Sequence, residues 1–234
     1  MFGRYVGFSA VALGAVFWLA IGSSLVNGQT SNSPVASTTM PADIDPKSGF
    51  RLPLPDRNDL NEAGQRAYDR AVKPGASIAG LWGPGGVRLY SPNTAAASSG
   101  LNRYLRYEAD ISGRIREIVI LATAREMDSQ FEWVAHEDEA LKEGVPADVI
   151  DIIKHRRSTV GIDATDALMI DLVRQLWRDK KVKSETFANG KALFGPTKFI
   201  EIVMLSGSYA ATAALLTAVD MQLPPGKQPL MPIP

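Results

Sequence analysis

From Leu101 onward apolar residues recur at the spacing of successive helices. Gly113 to Met127 differs from the rest. Its Ile115, Ile118, Val119, Ile120, Leu121, Ala122 and Ala124 fall all round a helical wheel, the pattern of a helix buried on every side. A strand across Ile118 to Leu121 is the alternative, and the charged flanks Arg114 to Glu117 and Arg125 to Glu126 weigh against it. A helix from about Ser129 to Glu143 follows and stops at Gly144. Others are predicted from Pro146 to about Arg157, from Asp163 or Thr165 through Trp177, and from Ser184 to about Leu193. Gly195-Pro196 opens a last long helix to about Met221, with small residues packed into Ser206 to Ala214. Upstream, Asp59 is placed to cap a helix reaching Val72. Residues 74–100, rich in Gly, Pro and Ser, predict an irregular segment with at most short helices. No βαβ pattern is present, so the fold class is all-α.

The two ends read differently from the middle. Residues 1–28 carry one early Arg, an uncharged run from Tyr5 to Val26 and small residues around Gly22 to Ser24. This is the form of a secretory signal, with an uncleaved membrane anchor as the alternative. A periplasmic or secreted location follows from the first reading, and membrane contact only from the second. Residues 29–50 are small, polar and proline-bearing, which predicts a disordered linker. One helical domain is expected over 51–223, and a Pro-rich extended tail over 224–234.

Composition removes several classes of function. The chain has no cysteine, so it offers neither a disulfide nor a thiolate nucleophile. Twenty-five basic residues balance 25 acidic ones, and no basic run is long enough to follow a phosphate backbone, so no nucleic acid partner is expected.

Chemistry concentrates between Arg114 and Gly144. Seven acidic residues surround His136 between Glu126 and Gly144, and only residues three or four apart share a helix face. Spacing therefore pairs His136 with Glu132, either as a surface ion pair or as a working acid–base couple. Glu117 lies inside the helix that is apolar all round, so its carboxyl must be paired, hydrogen-bonded or protonated. Arg114, three residues away, is one candidate to neutralise it. His155 sits among Lys154, Arg156 and Arg157, the setting of a surface residue near a helix end. Glu132, His136 and His155 make too thin a ligand set to assign a metal site. Tyr209 either fills the core or places a hydroxyl in a pocket between helices.

The run Gly113-Arg-x-Arg-Glu117, followed by Glu132-Trp-x-x-His136-x-x-x-Ala140-x-x-x-Gly144, resembles the carboxymuconolactone decarboxylase family. The resemblance spans roughly Asp56 to Leu223. It implies an alkylhydroperoxidase D-like helical fold and a cofactor-independent enzyme assembled as a homo-trimer or homo-hexamer. The peroxidase members carry two cysteines where this chain has Ser129 and Glu132, whereas the family's glutamate and histidine match Glu117 and His136. The resemblance thus points to a thiol-free branch and to a decarboxylating or isomerising lyase acting on a small carboxylated lactone or unsaturated acid. On that reading His136 donates the proton, Glu132 orients it and Glu117 relays, while Arg125 or Arg103, with Trp133 and Tyr209, bind substrate. A metal-assisted enzyme on the same residues and an exported non-catalytic binding oligomer are the alternatives.

Overall fold

The centre of the molecule is the segment whose sequence leaves no polar face. In the computed structural model, which describes residues 40–74 and 80–232, it forms α4 (Gly113–Glu126), with every residue from Ile115 to Arg125 buried. Ser112 caps its first turn by accepting from the Ile115 amide. α5 (Gln130–Lys142), α6 (Ala147–Lys154), α7 (Ala164–Trp177) and α8 (Ser184–Ala218) pack around it. Ile118, Val119, Ile120 and Leu121 are completely buried, each contributing about 1.5–3 kcal/mol of apolar burial. Among the described residues there are eight α-helices and no strand, so the chain is all-α.

Helix limits follow local chemistry. Gly144, at a φ of 81°, turns the chain out of α5 in a conformation that favours glycine. Asp163 caps α7 by accepting from the Thr165 and Asp166 amides. The predicted break at Gly195-Pro196 is present as a kink inside one long helical run, with Gly195 at a φ of 74°. α8 is long and apolar enough to cross a membrane, with a mean hydropathy of 1.6, yet half of that window is buried within the fold. Upstream, Asn61 rather than Asp59 caps α1 (Glu62–Val72), and Asp59 lies in a preceding 3-10 turn.

Two segments depart from the sequence expectation. Residues 84–107 are largely helical, as α2 (Pro84–Arg88) and α3 (Pro92–Tyr107). Residues 40–50, expected in the disordered linker, are folded: Phe50 and Ser48 are fully buried, and Ser48 Oγ donates to the Leu52 carbonyl at 2.7 Å. The rest of the expected linker and the signal or anchor of 1–28 lie outside the described residues. The described part of the tail turns at Pro224 to Lys227 and is docked. Met231 is buried in the main core, and the Gln130 side chain holds its backbone on both edges, accepting from its N–H at 2.9 Å and donating to its carbonyl at 2.7 Å.

Candidate active site

Glu117 projects from the middle of α4 and is wholly buried. Its two oxygens have separate partners. Oε2 lies 2.8 Å from His136 Nδ1, across the contact between α4 and α5, and Oε1 accepts from Arg116 Nε at 2.9 Å. Burial alone would raise the Glu117 pKa, but His136 and Arg116 outweigh it and hold the carboxyl below its ordinary range. An ionised Glu117 makes His136 Nδ1 the donor, so in the neutral ring Nε2 is the acceptor. Glu132 Oε2 lies 3.8 Å from that Nε2. Glu132 is itself buried, and desolvation pushes its pKa up against the pull of His136, Arg88 and Arg106. The result is a carboxylate held low in pKa behind the ring and a carboxyl raised in pKa by burial in front of it.

His136 and Glu132 open onto a cavity of about 290 Å³ bounded by α2, α3, α5 and α8. α3 presents Ser99, Asn102, Arg103, Arg106 and Tyr107 to it, one face at helical spacing. Arg88 of α2 donates to Thr212 Oγ1 at 2.7 Å and has no carboxylate within ion-pair distance among the described residues. Burial lowers its pKa, with Glu132 opposing. Arg106 Nη2 reaches Glu117 only at 3.9 Å, and its buried Nε has no hydrogen-bond partner among the described residues. Tyr209 of α8 closes the cavity, its ring 5.2 Å from the imidazole and edge-on to it. Burial drives the Tyr209 hydroxyl well above its ordinary pKa, so it stays a neutral donor.

The structure therefore brings together Glu117, Glu132, His136, Arg103 and Tyr209 of the residues nominated from sequence. It exchanges two roles: Glu117, not Glu132, makes the close bond that orients the imidazole. Arg125 is not at the cavity. It lies two turns beyond Glu117 on α4 and is committed to the Lys154 carbonyl at 2.8 Å and to Asp128. Trp133 is fully buried and does not line the cavity; its indole N–H donates to Glu137. Arg114 pairs with Asp166 at 2.5 Å and not with Glu117. Sequence reasoning missed Arg88 and Arg106. The polar stripe from Ser99 to Tyr107 was the available signal for Arg106, while Arg88 carried none, because a short helix in a Gly-rich segment brings it in.

Residues 92–170 match the model of the carboxymuconolactone decarboxylase family. That segment is similar to this family. Searches of curated proteins and of solved structures each gave no match. The family segment contains α3 to α6 and with them Glu117, Glu132 and His136; Arg88 and Tyr209 are contributed from outside it.

Proposed function

We propose that this protein belongs to the carboxymuconolactone decarboxylase family and is a cofactor-independent lyase acting on a small carboxylated lactone or unsaturated acid. The observation that carries the reading is the 2.8 Å bond from Glu117 to His136 Nδ1, which leaves Nε2 beside Glu132 on the wall of a cavity where Arg88 and Arg106 have no close carboxylate partner among the described residues, while Arg103 is paired with Glu108. Arg88, Arg103 and Arg106 supply the positive charge that a carboxylate substrate needs. In decarboxylation the bond to the departing CO₂ breaks, and its electron pair runs through the conjugated carbons to the lactone carbonyl oxygen. A guanidinium or the Tyr209 hydroxyl stabilises that developing oxyanion. His136, protonated at Nε2 through Glu132 and stabilised by ionised Glu117, then returns a proton to carbon. The cavity volume limits the substrate to a small molecule.

The burial of both His136 and Glu132 at the cavity favours this reading over a solvent-facing pair in a non-catalytic oligomer. The chain has no cysteine of its own for peroxidase chemistry. Export by residues 1–28 and assembly into three or six copies belong to the same proposal. Sequencing the mature N-terminus and measuring the solution mass test them. The substrate class is tested by a thermal-shift screen of lactones and unsaturated dicarboxylates on the wild type and on His136→Ala. A ligand that stabilises only the wild type supports the proposal. No stabilisation by any member of either class, or equal stabilisation of both proteins, overturns it.

A further inference from the structure

Arg116 sits behind the site and does more than pair with Glu117. Its Nε donates to Glu117 Oε1 at 2.9 Å, its Nη1 to the Arg106 carbonyl at 3.0 Å and its Nη2 to Glu143 Oε1 at 2.9 Å. The three contacts tie the end of α3 and the end of α5 to α4 through one planar, rigid group. Glu143 lies at the C-terminal cap of α5, with its side chain about one third exposed, far along the helix from the cavity. It reaches Arg116 by passing directly over Gly113, the first residue of α4. A Cβ on Gly113 would lie 1.7 Å from Glu143 Oε2. The backbone of Gly113 is ordinary helix, so its missing side chain makes room for Glu143 and relieves no backbone strain.

We propose that Glu143 is a positioning residue for the His136 centre, acting through Arg116 and Glu117, and that Gly113 is the space that lets it do so. The inference rests on the reading of His136 as the acid–base group. Glu143 fixes the Arg116 fork in the plane where Nε meets Glu117 Oε1. That contact stops the Glu117 carboxylate from rotating and keeps Oε2 on Nδ1–H. The Nδ1–H tautomer, and with it a free Nε2 in the cavity, is thereby enforced from the protein surface. The line Glu143, Arg116, Glu117, His136 alternates acid and base across α4 and α5.

The chain has only two histidines, so the ring nitrogens of both can be followed by ¹⁵N NMR, with His155 as an internal control. Glu143→Ala is expected to raise the Nε2–H tautomer share of neutral His136 and to speed exchange of its ring proton by about five- to tenfold, the weight of one hydrogen bond. Helical content and the His155 signals stay unchanged. Glu143→Gln, which keeps an acceptor for Arg116, restores most of the wild-type signature. Gly113→Ala moves His136 in the same direction, because the added methyl displaces a flexible side chain, and it adds nothing in the Glu143→Ala background. An unchanged His136 tautomer and exchange rate in Glu143→Ala, with a clear change in Glu117→Gln, overturns the role of Glu143 and leaves the function standing. No change in Glu117→Gln either removes the orientation of His136 and the proposed function with it.

Discussion

The chain contains two histidines, each with a carboxylate four residues before it on a helix, and the two pairs have opposite fates. His155 Nε2 lies 3.3 Å from Asp151, with both side chains about 40% exposed. His136 lies 3.8 Å from Glu132, with both side chains buried. The solvent pair is the shorter of the two, so proximity within a helix does not make a site. What separates them is the surroundings. α6 ends at Lys154, and His155 caps it in water. α5 is covered by α4, which supplies a third, fully buried group, Glu117, from outside the helix. Residues at identical spacing give a solvated ion pair in one place and a desolvated acid–base couple in the other.

The largest expected effect sets the two histidines against each other. His136→Ala lowers turnover on the substrate found by the thermal screen by at least about a hundredfold, whereas His155→Ala stays within about twofold. Equal losses would erase the distinction. Glu117→Gln comes next, removing the charge that stabilises the imidazolium, and steady-state kinetics should show about a tenfold loss in kcat with KM little changed. A change confined to KM would move Glu117 from the chemistry to binding.

The third prediction is a pH dependence of stability. Glu117 has a folded pKa below its ordinary value of 4.5, so its contribution is present above that pH and is lost as pH falls through the folded value. Glu132 has the opposite sign. Its folded pKa is raised above 4.5, so its contribution is present below that pH and is lost as pH rises through the folded value. Glu132→Gln should therefore gain in Tm relative to the wild type as pH increases from 4 toward 9, as followed by thermal denaturation. A constant difference would mean that Glu132 is solvated like Asp151. The smallest effect belongs to the exposed pair: Asp151→Asn should change stability by no more than about 0.5 kcal/mol in urea titrations.

The same contrast shows what sequence could and could not reveal. α4 was legible because an all-round apolar helix has one physical solution, and Glu117 was legible as the carboxyl trapped inside it. α5 ended where Gly144 allowed, and α8 bent where Gly195 preceded Pro196. α3 was harder. Its Ala, Ser and Asn residues give no apolar stripe, and only Ala95 and Leu105 are buried. Its outward order is set by the pocket it lines, and periodicity of hydrophobic residues does not report that. Arg125 and Trp133 were misplaced for a related reason. Helical spacing places a residue on a face, but only the packing of α6 decides that Arg125 meets the Lys154 carbonyl and that the Trp133 ring lies beneath the Lys154 ammonium instead of at the cavity. Phe50 and Met231 illustrate the remaining gap: one buried residue can anchor a segment whose polar or proline-rich composition predicts no packing.

The docked end of the chain has a practical consequence for anyone handling this protein. The Gln130 amide that grips Met231 stands immediately before Phe131 and Glu132, so this segment braces the first turn of the helix that faces the cavity. A purification handle fused beyond Pro234, or a protease nick at Lys227, would pull on that turn. Comparing ligand affinity in tagged, trimmed and untreated preparations would show how far this segment is felt in the cavity.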